Sequence, residues 1–289
     1  MNSITVMAYA KINLGLDVLR KREDGYHDVR MIMQSLDLHD TITITKTSNS
    51  MISVQTNLSY LPVDKGNLVY RAAALFLKTI SVKDGLHIKL NKEIPVAAGL
   101  AGGSSDAAAT LKALNELYGI GYSQKELMKL GVQLGADVPY CIMLGTALSE
   151  GIGELLTPLS PMPECSILLV KPDISVSTKY VYENLRLTND MPHPDITNMK
   201  ASLAAGDLTG LATKMDNILQ TVTIRDYPVI TNIKNKMNEH GALVSLMSGS
   251  GPTVFGIYKD HSVAKKAFAY FKTHKEYGRQ VFLTKPYQP

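Results

Sequence analysis

Cysteine is scarce in this chain. Cys141 and Cys165 are too few for a disulfide framework, and neither has the Cys-x-x-Cys spacing of a zinc or redox site. Reduced, buried thiols are therefore expected, which favours the cytosol. No apolar run approaches the length of a membrane span. The N-terminal stretch lacks a basic region followed by a long apolar core, and Lys11 interrupts its hydrophobicity, so no signal peptide is expected. Internal repeats and low-complexity tracts are missing as well. The net charge is only +4 and its basic residues are dispersed. The densest run, Lys265, Lys266, Lys272, Lys275 and Arg279, is spaced as a solvated helix face without a nucleic-acid-binding motif, so no nucleic-acid partner is expected. A mild positive balance suits an enzyme whose substrates are polyanions.

What is present begins with apolar material. At 289 residues and 45% hydrophobic content, the chain has enough for a sizeable core in two modest domains or one large one. The most informative stretch is Pro95-Val96-Ala97-Ala98-Gly99-Leu100-Ala101-Gly102-Gly103-Ser104-Ser105, which runs into an alanine-rich helical pattern. It lacks both the Gly-Lys-Ser/Thr of a Walker loop and the Gly-x-Gly-x-x-Gly dinucleotide spacing. Gly99, Gly102 and Gly103 can take positive φ and carry no side chain to block a ligand, so successive N–H groups can converge. Ser104 or Ser105 can cap the helix that follows, whose first N–H groups and dipole favour an anion. A phosphate cradle is the functional reading, and a glycine-rich turn that merely starts a helix is the plainer one.

Before the cradle, the even positions from Ile4 to Val18 are apolar, the pattern of a strand with one buried face. Tyr9, Lys11, Asn13 and Asp17 share the opposite face, where a lysine facing water is ordinarily a solubilising charge. Asp24-Gly25 in Lys21-Arg-Glu-Asp-Gly-Tyr-His27 signals a hairpin turn. Residues 36–45 and 51–56 alternate and predict a second hairpin around 47–50. A helix is expected over 66–78 with Asn67 as N-cap, and a strand over 86–91. Beyond the cradle helix, Ser123-Gln-Lys-Glu126 is a capping box, and its helix leads to Ala136-Asp137-Val-Pro-Tyr140. An aspartate leaving a helix gains nothing from the negative end of the dipole, and that placement hints at function.

Three prolines within residues 156–163 mark an inter-domain link. Past it come a strand at 166–171, helical stretches at 195–203 and 208–219, and a helix opened by Pro228. Strands at 243–247 and 253–258 flank Ser248-Gly-Ser-Gly-Pro252, followed by a Ser262-capped helix and a strand at 280–284. Helix, two hairpin strands, helix and strand is the closing order of a ferredoxin-like layer.

Gly-Leu-Ala-Gly-Gly-Ser-Ser-Asp-Ala-Ala resembles the second motif of the GHMP kinases, and in particular the branch whose acceptor is a cytidine diphosphate alcohol. Ala-Lys-Ile-Asn-Leu at 10–14 is similar to the first motif, Leu-Gly-Ala-Asp-Val-Pro at 134–139 to the catalytic-aspartate segment, and Ser248–Pro252 to the third motif. The resemblance spans about Ala8 to Tyr258. It implies an α+β, two-domain fold: residues 1–157 as a ribosomal-protein-S5-like, ATP-binding domain and residues 164–289 as a ferredoxin-like domain. It implies catalysis by Lys11 and Asp137, ATP on the Pro95–Ser105 cradle with Asn67 near the adenine, and Mg²⁺ with Ser105 as its nearest hydroxyl. Asn13, Tyr26, His27 and Tyr182 are implied as acceptor contacts, the last three around the cytosine, although Tyr182 is equally readable as core. The family has glycine where this chain has Ala101, a difference that matters only if positive φ is required there. Two rivals remain: another alcohol acceptor, or a non-enzymatic nucleotide-binding regulator.

Overall fold

Ten strands and ten α-helices make up the computed structural model, which describes residues 2–188 and 191–289. The strands are β1 Ser3–Lys21, β2 His27–Thr47, β3 Ile52–Thr56, β4 Gly85–Asn91, β5 Thr146–Gly151, β6 Leu155–Pro158, β7 Ser166–Lys171, β8 Val244–Met247, β9 Val254–Tyr258 and β10 Gln280–Thr284. The helices are α1 Leu68–Thr79, α2 Gly102–Tyr118, α3 Gln124–Val132, α4 Val138–Met143, α5 Thr178–Asn184, α6 Ile196–Ala204, α7 Leu208–Ala212, α8 Gln220–Asp226, α9 Val229–Glu239 and α10 His261–Thr273. The chain divides into two compact units: Met1–Ala10, Leu38–Val96 and Ala101–Leu144 form one, and Lys11–Asp37, Ala97–Leu100 and Gly145–Pro289 the other.

In the first unit the C-terminal part of β2 pairs antiparallel with β4, and β4 pairs in parallel with β3. The hairpin expected from 36–45 and 51–56 is therefore absent, because β4 inserts between the two strands. Alternation identifies a strand's buried face but not its partner. Ile42, Ile44, Leu86 and Ile88 from the sheet are buried, as are Val69 and Phe76 of α1 and Leu111 and Leu114 of α2. Helices α1 and α2 pack on each other, and α4 packs on α2 and α3. Asn67 caps α1 by accepting Val69 N–H, and Ser123 with Glu126 forms the expected capping box of α3.

In the second unit β7–β10 form an antiparallel sheet of order β10-β7-β9-β8, the ferredoxin-like arrangement, with α9 packed on β8 and β9 and α10 on β10 and β7. Ile233 and Met237 of α9, Phe255 and Ile257 of β9 and Phe271 of α10 are fully buried. The N-terminal part of β2 pairs with β5, and β5 with β6. Residues 155–158, where the proline-rich link was expected to begin, are thus a paired strand.

Three local expectations change. The segment 208–219 is not one helix: α7 stops at Ala212, and Asn217 instead makes a parallel bridge to Leu16. Helix α10 is capped by Asp260, which accepts Ser262 and Val263 N–H, rather than by Ser262. Strand β1 is buried on both faces from Ala10 to Val18, so Lys11, Asn13 and Asp17 do not face water. Within this unit the side chains of Ile196 and Met199 from α6 lie directly over Gly15, a second layer that periodicity along one strand does not reveal.

Candidate active site

Helix α2 opens within the first unit. Its N-cap, Ala101, lies in the left-handed region at φ 55° and makes no side-chain capping bond. Gly102, Gly103 and Ser104 open the helix with N–H groups that have no acceptor on their own helix, the electrostatic condition for binding an anion. The expected serine cap is corrected, since both serines sit inside the first turn. Ser105 is 2% exposed and its hydroxyl donates to Tyr9 O at 2.5 Å.

The expected positive φ is found at Gly99 (74°) but not at Gly102 or Gly103; Ala97 (51°) and Ala101 adopt it instead. Positive φ is therefore a real requirement at Ala101. Ala101→Gly is expected to raise stability by roughly 0.5–1 kcal/mol, because relief of the left-handed strain exceeds the entropy that glycine adds to the unfolded chain. Thermal melting checks this, and a lower midpoint would contradict it.

Behind the same turn lies a buried ionic cluster. Lys92 Nζ donates to Asp106 Oδ2 at 2.7 Å and to Asp40 Oδ2, while Asp40 Oδ1 accepts Glu93 N–H at 2.6 Å and Ile94 N–H at 2.8 Å. A β-carbon on Gly102 would lie 3.2 Å from Lys92 Nζ, so the ammonium sits directly against the first residue of α2. Asp106 Oδ1 is buried and meets no partner among the described residues. Burial pushes Asp106 up to about 8 against the pull of Lys92, with the like charge of Asp40 adding to the rise. Burial alone would lower Lys92, but Asp106 and Asp40 together hold the ammonium above its ordinary value.

Asp137 is the N-cap residue of α4, half-buried, with no side-chain capping bond. Its expected position at the negative end of a dipole is thus corrected: α3 ends at Val132, and Asp137 stands at the N-terminal, positive end of the next helix. Asn67 uses its carboxamide structurally, accepting Val69 N–H at 3.0 Å and donating to Pro62 O at 2.8 Å.

In the second unit, Lys11 is 5% exposed and donates from Nζ to Asn13 Oδ1 at 2.7 Å. The backbone of Lys11 donates to Leu100 O, so β1 holds the residues 97–100 of the cradle. Those residues are held from the other side as well, since Ser248 Oγ donates to Gly99 O at 2.9 Å. A β-carbon on Gly99 would come within 2.2 Å of Ser248 O, a contact that only glycine permits. The His27 and Tyr182 rings meet at 5.1 Å between centroids, tilted by 38°, and Tyr26 stands 60% exposed at the turn after β1. Burial, and then the charge of Lys21, hold His27 below its ordinary value, so its imidazole is neutral near pH 7 and offers one donor and one acceptor.

The structure therefore joins Lys11, Asn13, Gly99 and the Ser248–Pro252 loop in the second unit, and His27 with Tyr182 in the same unit. Gly102–Ser105, Asn67 and Asp137 belong to the first unit. Sequence reasoning missed the Lys92, Asp40 and Asp106 cluster and the bridge of Asn217 to Leu16. The carboxylate partners of Lys92 stand 52 and 14 residues away in the chain, a separation that no local pattern encodes.

Among the described residues, no group of three or more His, Cys, Asp or Glu is arranged to hold a metal ion. Ser105 Oγ donates its proton to Tyr9 O, which leaves the oxygen lone pairs as the part of this buried hydroxyl that suits a cation. Mg²⁺ requires few protein ligands when phosphate oxygens and water surround it.

Comparison with known proteins bears on this arrangement. Residues 67–145 match the family described as GHMP kinases N terminal domain, and residues 199–276 match GHMP kinases C terminal. The chain is 55% identical over 285 residues to a 4-diphosphocytidyl-2-C-methyl-D-erythritol kinase of Lachnoclostridium phytofermentans, covering 99% of this chain and 98% of that protein. It is 51% identical to the same-named kinase of Lachnospira eligens over the full length of both. A crystal structure of 4-(cytidine 5'-diphospho)-2C-methyl-D-erythritol kinase superposes with a TM-score of 0.84 at 32% identity, covering 99% of this chain and 100% of that one. The chain belongs to the GHMP kinases, within the branch of the 4-diphosphocytidyl-2-C-methyl-D-erythritol kinases.

Proposed function

We propose that this kinase transfers the γ-phosphoryl group of ATP to the 2-hydroxyl of 4-diphosphocytidyl-2-C-methyl-D-erythritol, giving the 2-phosphate and ADP in the non-mevalonate route to isoprenoid precursors. Phosphoryl transfer asks a protein mainly to align the attacking and leaving oxygens and to offset charge on the moving group. The main-chain amides of the Pro95–Ser105 cradle hold the triphosphate, with Asn67 beside the adenine. Asp137 takes the proton of the acceptor hydroxyl as its oxygen bonds to phosphorus and the bond to ADP breaks. Lys11, oriented by Asn13, places a point charge against the attacking oxygen. Mg²⁺ arrives with the nucleotide as part of that substrate. Residues 1–157 and 164–289 are the two functional domains, and the cytoplasm is the working compartment.

The observation that carries the acceptor assignment is the His27–Tyr182 contact beside the exposed Tyr26, which supplies aromatic faces and a neutral imidazole for a flat base with a polar edge. With ATP held constant, the cytidine diphosphate alcohol is expected to exceed the free alcohol in kcat/KM on the order of 10²-fold or more. Steady-state phosphotransfer assays on both acceptors test this, and equal values would remove the cytosine pocket from the account.

A further inference from the structure

We infer that Asn217 is a positioning residue for phosphoryl transfer, its carboxamide fixing the Ser248–Pro252 loop against the Asn13 side chain that grips Lys11. The inference rests on the proposed role of Lys11. Asn217 is 0% exposed and lies in the segment that sequence periodicity assigned to a helix. Its Nδ2 donates to Met247 O and to Gly249 O, each at 2.7 Å, and its Oδ1 accepts Leu219 N–H at 3.0 Å. Two donors on one nitrogen and an acceptor beside it are what a primary carboxamide of this length supplies. An ionised carboxylate would oppose both carbonyl oxygens, and an apolar side chain would leave both without a donor.

The same short segment is tied to the strand that carries Lys11. Leu16 N–H donates to Asp216 O at 2.9 Å and Ile218 N–H to Leu16 O at 3.0 Å, which locks Asn217 to β1 three residues beyond Asn13. On the other side of the loop, Gly249 has φ 58°, and a β-carbon there would meet Gly99 O at 3.4 Å and Asn13 Oδ1 at 3.5 Å. Asn13 Oδ1 is the atom that accepts Lys11 Nζ. One buried carboxamide thus sets the distance between β1 and the glycine loop at the place where the lysine is held. Of the charged groups bonded around this segment, Asp216 accepts Asn217 N–H and Gln220 Nε2, and Lys234 donates to Gln220 Oε1; neither is bonded to the carboxamide.

The test compares Asn217→Asp, Gly249→Ala and Lys11→Met with the native enzyme, measuring melting temperature, kcat and both KM values from pH 6 to 8. Asn217→Asp is expected to lower kcat on the order of 10-fold or more at pH 8, with KM changed less than about threefold, because positioning acts on the transition state. The ratio of its kcat to the native value should rise toward pH 6, where a protonated carboxyl regains one donor. Melting temperatures measured at each pH separate this recovery from one that acts through stability alone. Gly249→Ala strains the left-handed φ that brings the loop to Asn13, with its methyl in ordinary contact there, and should lower kcat even where Asn217→Asp fails to fold. A folded Asn217→Asp enzyme with native kcat, or with a loss unchanged at pH 6, overturns the inference, as does native kcat in Gly249→Ala. If Lys11→Met itself keeps native kcat, the reading of the site fails instead.

Discussion

Asp137→Asn is expected to lower turnover on the order of 10²-fold or more while leaving ATP affinity within a few-fold of native, the loss typical of a positioned base. The substitution isolates chemistry from folding because the native side chain makes no capping bond to α4. Asparagine is as good an N-cap residue as aspartate and nearly isosteric, so the stability change should stay within about 0.5 kcal/mol. Steady-state kinetics, calorimetric titration with ATP and a thermal melt together check the three parts. Full activity in a folded Asp137→Asn protein would end its assignment as the base. Lys11→Met should show a comparable kinetic loss, since it keeps the aliphatic stem within β1 and removes only the charge bonded to Asn13.

The parts of this molecule that its sequence disclosed are those encoded within one turn or one strand. Ser123 and Glu126 form a capping box three residues apart, and Asn67 caps the helix it immediately precedes. The closing β8-β9 hairpin and its flanking helices follow the apolar pattern, as does the glycine loop between the strands. The parts that stayed hidden depend on distant partners. Alternation along β1 marked Lys11, Asn13 and Asp17 as one face but said nothing of the layer that buries it. Residues 213–219 read as helix because Met215 and Ile218 continue the spacing of Leu208 and Leu211, yet the bridge to Leu16, far earlier in the chain, holds that segment out of helix. Conformational detail inside the cradle was equally invisible. Glycine permits positive φ without demanding it, and here two alanines adopt it while Gly102 and Gly103 remain helical.

Lys92→Met should cost about 3–5 kcal/mol of stability, the usual consequence of removing one partner from a buried ionic cluster. Asp106 and Asp40 would then face each other with no cation between them, and Asp40 would still be fixed by Glu93 and Ile94 N–H groups. Lys92 balances one negative charge, and Asp106 Oδ1 has no donor to stabilise a second. The native cluster therefore keeps a proton on Asp106 at neutral pH, consistent with its rise to about 8. The sign of the linkage follows. A carboxyl whose folded value lies above its unfolded value of about 3.9 binds its proton more tightly when folded, so its contribution to stability is complete below pH 4 and is lost as pH climbs through about 8. Asp106→Asn, a permanently neutral isostere, should fold well and lose less stability than the native protein between pH 6 and 9. Adding it to Lys92→Met should recover part of the deficit as pH rises, because a carboxamide keeps its donor toward Asp40 at every pH whereas the Asp106 carboxyl loses its proton. Denaturant titrations of the four proteins across that pH range measure both effects. A native protein whose stability runs parallel to that of Asp106→Asn over pH 6–9 would show that Asp106 is ionised beside Lys92, and that the turn beneath Gly102 rests on a full ion triad instead of a shared proton.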